Sequence, residues 1–113
     1  MDLNVKQSGN ICTLKLKGRM TSGDPVNEFE TAFHSALDSG HLCLILDLEE
    51  VPYIDSSGIG SIVNALRVST SMGGSAKLVK PSPFITRMFT MVAILGLFQV
   101  YETEEDAIAA CAG

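Results

Sequence analysis

Basic residues are scarce in this sequence of 113 residues, which holds eight lysines and arginines against thirteen aspartates and glutamates. The formal net charge is −5 at pH 7. A protein that binds nucleic acid or an anionic membrane surface needs a basic face, because it must neutralise phosphate groups. The composition therefore argues against direct binding to either partner.

Long apolar runs are missing as well, since no stretch approaches the roughly 20 apolar residues of a membrane-spanning helix. Residues 1–6 lack the charged and then apolar order of a signal peptide. We therefore expect a cytoplasmic protein without a membrane span. With 46% hydrophobic and 19% charged residues, the chain can bury a core. Its length predicts one domain over residues 1–113.

Cysteine and histidine are too few and too scattered to indicate a metal, redox or cofactor site. Cys12, Cys43 and Cys111 are odd in number and widely separated, so we expect neither a disulfide framework nor a Cys-x-x-Cys site. Cys12 and Cys43 are predicted to be small buried side chains. His34 and His41 have no neighbours at metal-ligand spacing, and we expect both at the surface.

What the sequence does contain is an alternation of predicted strands and helices. Alternating apolar residues predict a strand over residues 11–16, and turn residues at 8–10 join it to an earlier strand as a hairpin. Asp24 followed by Pro25 predicts the start of a helix, with the Asp24 carboxylate as a candidate cap. The apolar residues of that helix recur at helical spacing as far as Ser39.

The second half of the sequence continues the alternation. The apolar run at 42–46 predicts a central strand covered on both faces. A helix with Ile59, Ile62 and Leu66 on one face follows, and the glycines at 73–74 end it. The remaining predictions are a strand over 76–79, a helix over 84–92, a short strand over 98–101 and a terminal helix after Thr103. The expected fold is α/β, with a mixed central sheet of about five strands and about four helices.

The segment most suggestive of chemistry is Asp55-Ser56-Ser57-Gly58-Ile59, between the central strand and the second helix. Ser56 is predicted at or just before the first helical turn, where free N–H groups and the helix dipole favour an anion. A phosphate there would add about −1.5 to −2 charges at neutral pH. A simpler interpretation is that Asp55 or Ser56 caps the helix and Gly58 relieves crowding against the sheet.

Five stretches, spread over nearly the whole chain, carry a resemblance to a known family. They are residues 14–20, the strand at 44–48, the motif Tyr53-Ile54-Asp55-Ser56-Ser57-Gly58-Ile59-Gly60, the glycines at 73–74, and residues 81–89 ahead of 95–98. Together they resemble the STAS domain, which bacterial anti-sigma-factor antagonists share with the cytoplasmic tails of sulfate transporters. The resemblance implies a STAS-like single domain.

The resemblance also implies a cycle of partner exchange. The unphosphorylated antagonist would bind an anti-sigma factor that is also a serine kinase, and so release a sigma factor. The kinase would inactivate the antagonist by phosphorylating the first serine of the motif, here Ser56, and a metal-dependent serine phosphatase would restore it. The chain has no Gly-x-x-x-x-Gly-Lys-Ser/Thr loop, so the partner must supply ATP. The implied partner-binding residues are Thr21, Asp24, Asp55, Ser56, Ser57, Gly58 and Ile59.

One position departs from the family pattern. Antagonists commonly carry an acidic residue shortly after the glycine that ends the second strand, and Thr21 stands there in this sequence. Asp24 either replaces that acidic residue or only caps its helix. The departure leaves the identity of the partner open, and the sequence does not decide whether Ser57 is modified in place of Ser56.

An enzyme is not expected, because Ser56 lacks a Gly-x-Ser-x-Gly elbow and neither histidine has a motif that ties it to a serine. Gly58 and Gly60 form half of a dinucleotide fingerprint, but Val63 stands where the third glycine would be. The sequence therefore offers no complete catalytic or dinucleotide-binding motif.

The main alternative is a scaffold or regulatory STAS subunit of a stress-signalling complex or a transporter. The apolar stretch at 88–98 either serves permanent contacts in such an assembly or belongs to the core. A scaffold should self-assemble, whereas an antagonist should be a monomer or a weak dimer.

Overall fold

Strands and helices alternate in the order that the apolar pattern predicts, in a computed structural model that describes residues 1–112. In chain order they are β1 (Asp2–Ser8), β2 (Ile11–Lys17), α1 (Asp24–Asp38), β3 (Cys43–Glu50), α2 (Ser56–Ser71), β4 (Ser75–Val79), α3 (Pro83–Met91), β5 (Gln99–Tyr101) and α4 (Glu104–Ala112). A short 3-10 turn over Leu95–Leu97, which the sequence did not predict, precedes β5. The expected α/β fold with a mixed sheet and four helices is confirmed.

The sheet has the strand order β1-β2-β3-β4-β5. The predicted hairpin is present: β1 and β2 are antiparallel, and Gly9 makes the turn with a φ of 59°. The pairings β2 with β3, β3 with β4 and β4 with β5 are all parallel. Parallel strands bring their carboxyl ends to one edge of a sheet, and ligand or partner sites in α/β domains gather at that edge.

The main core lies on the face of the sheet that α1, α2 and α3 cover. Phe29 and Phe33 of α1 and Phe89 of α3 are fully buried there, against leucines that alternate along β2 and β3. Burying one such side chain contributes about 1.5–3 kcal/mol. A smaller cluster on the opposite face joins Ile45 and Ala107, so α4 covers the other side of β3. The central strand is therefore covered on both faces, as predicted.

The start of α1 differs from the prediction. Gly23, with a φ of 100°, occupies the cap position, and Asp24 is the first residue of the helix. Asp24 thus lies one residue past the cap position, and the cap position contributes no side-chain hydrogen bond. The prediction that Asp24 is the cap is therefore wrong. Its exposed carboxylate lies in the first turn, where a negative charge suits the helix dipole.

The cysteines also differ from the prediction, because Cys43 and Cys111 form a disulfide. They are 68 residues apart, and only the packing of α4 along β3 brings them together. Cys43 is buried as expected, but it is not a free side chain. Cys12 is a buried free thiol, and burial raises its pKa.

The two histidines lie apart from one another. His34 is exposed, as expected, whereas His41 is half-buried, with Nδ1 2.8 Å from the Gly9 carbonyl. Within residues 1–112, no group of three or more His, Cys, Asp or Glu side chains is arranged to hold a metal ion. The described helices include none that is both long and apolar enough to cross a membrane.

Candidate functional site

The loop after β2 meets the start of α2 at the carboxyl edge of the sheet. Met20 and Ile54 form an isolated parallel bridge. The Met20 N–H donates to the Tyr53 carbonyl at 3.0 Å, and the Met20 carbonyl accepts from the Asp55 N–H at 3.2 Å. These backbone bonds place the residues after β2 directly beside the Asp55-Ser56-Ser57-Gly58 segment.

Asp55 is the residue that caps α2. One carboxylate oxygen accepts the N–H of Gly58 at 2.9 Å, and the other accepts the N–H of Ser22 at 2.9 Å. These two hydrogen bonds, the one from Ser22 first, lower the pKa of Asp55. The Gly58 amide is thus already used by an ionised side chain and is not open to an added phosphate.

Gly58 is required by packing. A Cβ at this position would lie 2.5 Å from the carbonyl oxygen of Met20 and 2.6 Å from Cγ1 of Ile54. Gly60, two residues further on the same helix, has open space at the same point. The simpler interpretation of the motif therefore describes Asp55 and Gly58 correctly, because both have structural roles.

Ser56 and Ser57 have no comparable role. Both are exposed at the first turn of α2. In the part of the chain that the structure describes, neither hydroxyl makes a hydrogen bond to another residue. Ile59 is half-buried and packs against the main core, so only part of its surface can face a partner. The serine hydroxyls are therefore the groups of this segment that are free to react.

The other two predicted site residues lie in the adjoining loop and at the start of α1. Thr21 is half-buried, and its carbonyl accepts from the Val26 N–H at 3.3 Å. Asp24 is exposed, but it makes no hydrogen bond with Asp55. The loop reaches the Asp55 carboxylate through Ser22, a residue that the sequence analysis did not single out. No sequence signal pointed to Ser22, since its contribution is a backbone N–H.

A stack of side chains beside this segment was also missed. The guanidinium of Arg19 lies 4.4 Å from the centre of the Tyr53 ring. The ring of Tyr53 is in turn 5.1 Å from that of Phe84 at the start of α3. Cation–π contacts of this kind are favourable, and partly exposed aromatic and Arg side chains are enriched at protein interfaces. Tyr53 stood within the motif, but its two neighbours are distant in sequence.

The geometry fits recognition better than catalysis. No described base contacts Ser56 or Ser57, since the nearest acid, Asp55, is committed to two backbone amides. The two histidines are engaged elsewhere. Nε2 of His34 lies 3.6 Å from Oε1 of Glu30 on α1, and Nδ1 of His41 contacts the Gly9 carbonyl at the opposite end of the sheet. Neither serine is therefore activated as a nucleophile by a side chain that the structure describes.

The architecture and the sequence both match known proteins. The anti-sigma factor antagonist SpoIIAA in its unphosphorylated form superposes with a TM-score of 0.85 over 99% of this chain and 97% of the other, at 22% identity. The phosphorylated form of SpoIIAA from Bacillus gives a TM-score of 0.77 over 96% and 98%, also at 22% identity. At this identity, the two structures show a shared fold.

A sequence relative is more similar. The anti-sigma F factor antagonist of Lysinibacillus sphaericus is 30% identical over 84 residues, which are 74% of this chain and 71% of the relative. The model of the STAS domain family matches residues 2–107. This match confirms the resemblance and the expectation of a regulatory domain that is not an enzyme. The chain belongs to the STAS domain family.

Proposed function

We propose that this domain is an anti-sigma-factor antagonist that is switched off by phosphorylation at Ser56. In its unphosphorylated form it binds an anti-sigma factor with serine kinase activity, and a sigma factor is released. The observation that carries the proposal is the division of roles in the motif: Asp55 caps α2, Gly58 packs, and the exposed Ser56 hydroxyl makes no hydrogen bond to any residue that the structure describes. The antagonist relative supports an anti-sigma factor as the partner class.

The docking surface in this proposal comprises Thr21, Asp24, Asp55, Ser56, Ser57, Gly58 and Ile59. Its members differ in exposure, so the contact with the partner falls mainly on Asp24, Ser56 and Ser57. Arg19 and Tyr53 extend this surface toward α3.

The charge of the site explains how phosphate would release the partner. A phosphate on Ser56 adds about −1.5 to −2 charges beside the ionised Asp55 carboxylate. Because that carboxylate already occupies the Gly58 amide, this end of α2 cannot fully neutralise the added charge. An acidic surface on the partner is then repelled, and each 1.4 kcal/mol lost weakens binding about tenfold. The exposure of Ser56 also leaves the phosphate open to a metal-dependent serine phosphatase.

Three variants and one control test the proposal in binding and phosphorylation assays with the anti-sigma kinase and ATP. Ser56→Ala should bind the kinase and accept no phosphate, whereas Ser56→Asp should bind at least about tenfold more weakly. Ser57→Ala should both bind and be phosphorylated. Ser8→Asp, an exposed change in the β1–β2 hairpin, controls for added charge and should bind normally. Equal binding by Ser56→Ala and Ser56→Asp, or a phosphate mapped by mass spectrometry to another residue, would reject the switch.

A scaffold or regulatory subunit is the second candidate, and one observation favours it. The apolar stretch at 88–98 buries Phe89 and Phe98 but leaves Met91 72% exposed, with Val92 and Leu97 exposed beside it. Such a patch fits a contact between subunits. Light scattering on the purified protein separates the candidates: large assemblies would support the scaffold, and a monomer or weak dimer the antagonist.

A further inference from the structure

Helix α4 runs back along β3 and is fastened to it at both ends. Three pairs of residues mark its course, in reverse order along the two elements: Cys43 with Cys111, Ile45 with Ala107, and Asp47 with Glu104. Of the described α4 residues, only Ala107 is fully buried, so apolar burial alone holds this helix weakly. The disulfide at the end of α4 is therefore an important part of what holds this helix on the sheet.

The disulfide is accessible from solvent. Cys43 is only 5% exposed, but Cys111 is half-exposed, and both line a surface pocket together with Gly73 and Gly74. Neither glycine has a side chain that could cover the sulfurs. A small thiol or disulfide reagent can therefore approach the pair through this pocket.

A buried lysine lies next to the pair. Lys77 on β4 is 6% exposed, and its Nζ donates to Ser75 Oγ at 2.8 Å. Ser75 Oγ is in turn 3.3 Å from Cys43 Sγ. Within residues 1–112, Lys77 forms no ion pair with a carboxylate, and burial lowers the pKa of its ammonium group. A buried cation without a counterion would be stabilised by a negative charge on Cys43.

The other neighbours of Cys43 bring no competing charge. Ile11 is its partner on β2, and Ser75 is its partner on β4. His41, two residues earlier, is engaged with the Gly9 carbonyl. Besides Lys77, the titratable group that adjoins Cys43 is Cys111 on α4. A cation that reaches a thiol through a hydrogen-bonded hydroxyl favours its thiolate form.

We propose that Cys43 and Cys111 are a reversible thiol–disulfide pair, in which Lys77 and Ser75 make Cys43 the attacking thiolate and the disulfide fixes α4 on the sheet. In the oxidation, the Cys43 thiolate attacks one sulfur of glutathione disulfide and expels glutathione as its thiolate. Cys111 then passes its proton to the released glutathione thiolate, attacks the Cys43 sulfur of the mixed disulfide and expels the second glutathione as a thiolate, which takes up a proton from water. Two protein thiols are oxidised, and one glutathione disulfide is reduced to two glutathione molecules.

A titration in glutathione buffers tests the pair on the whole protein. The free thiols are trapped with an alkylating reagent and analysed by mass spectrometry. As the fraction of oxidised glutathione in the buffer rises, Cys43 and Cys111 should change together from two alkylated thiols to one disulfide. Cys12 should react with the alkylating reagent only after the protein is unfolded, because its side chain is buried. Hydrogen exchange should be faster in α4 of the reduced protein. A failure to form the disulfide in any buffer, or equal exchange in both states, would overturn the proposal.

The role of Lys77 needs its own measurement, the pH dependence of Cys43 alkylation in a Cys111→Ser background. Lys77→Met should raise the midpoint by about one pH unit, and Ser75→Ala should raise it while leaving the buried lysine in place. Lys80→Met is the matched control, because Lys80 is an exposed lysine paired with Glu49, and it should leave the midpoint unchanged. Midpoints that do not move in Ser75→Ala or Lys77→Met would overturn the thiolate assignment.

Discussion

The carboxylate of Asp55 accepts a hydrogen bond of 2.9 Å from the backbone N–H of Ser22, 33 residues earlier in the chain. Its other oxygen caps α2 through Gly58. One side chain thus holds together the loop after β2 and the first turn of α2, the two segments that form the proposed docking surface. Any change in the charge of Asp55 acts on both segments at once.

Asp55→Asn should remove a stabilisation that depends on pH. The hydrogen bonds lower the pKa of Asp55 below its ordinary value of 3.8, so the ionised form stabilises the fold above that value and the effect is lost as the pH falls through the lowered pKa. Urea unfolding should show a less stable variant at neutral pH and a smaller difference in acid. Asp2→Asn, in exposed β1, is the control. A difference that stays constant with pH would contradict this prediction.

Gly58→Ala should destabilise the domain by about 1–3 kcal/mol, because the new Cβ would meet the Met20 carbonyl and the Ile54 side chain. Gly60→Ala is a matched control on the same helix, with nothing within 4 Å of the new atom. That variant should be more stable by about 0.5–1 kcal/mol, since alanine favours a helix. Free energies of unfolding from urea titrations measure both changes, and equal effects would contradict the close packing.

Reduction of the Cys43–Cys111 disulfide should lower the free energy of unfolding by about 2–4 kcal/mol, because the bond closes a long loop with a sequence separation of 68 residues. The double variant Cys43→Ser, Cys111→Ser should resemble the reduced protein and should not respond to reductant. Urea unfolding with and without reductant measures the difference. If reductant also left the free energy of unfolding of the wild-type protein unchanged, the disulfide would contribute nothing to stability.

Asp47→Asn should stabilise the domain more at high pH than at low pH. Burial, with a hydrogen bond to Glu104, raises the pKa of Asp47 to about 6. The folded state therefore holds a proton that the unfolded state, with a pKa near 3.8, has lost, and stability falls as the pH rises through about 6. Between about pH 5 and about pH 7, the advantage of the variant in urea unfolding should grow, and above that range it should level off.

The pKa of Glu104 is lowered by its hydrogen bond with Asp47, so its own contribution is lost only in more acidic solution. The range above about pH 5 therefore isolates Asp47. An advantage of Asp47→Asn that did not change with pH over this range would contradict the raised pKa.

The elements that the sequence predicted are those set by local patterns. Alternation along β2 and the turn at Gly9 predicted the hairpin, and apolar spacing predicted α1 and α2. The start of α1 was misplaced by one residue, because Asp24 and Gly23 are both acceptable at a helix start and only the three-dimensional path chooses between them. Local sequence thus predicts the presence of a strand or helix more accurately than the residue at which it begins.

The site was predicted as a segment but not as a set of contacts. The sequence allowed either Asp55 or Ser56 to cap α2, and the structure assigns the cap to Asp55. The bond from Ser22, the position of Arg19 over Tyr53 and the pairing of Cys43 with Cys111 join residues far apart in the chain. Such contacts depend on how the elements pack, and no local spacing encodes them.

The strand order of the sheet repeats the order of the chain, so every strand pairs with the one made immediately before it. As the chain leaves the ribosome, each new strand can pair with the edge strand of the sheet that has already formed. No later strand has to be inserted between two strands that are already paired. Short-range assembly of this kind favours rapid folding during synthesis. Helix α4 comes last and closes the face of β3 that earlier elements leave uncovered.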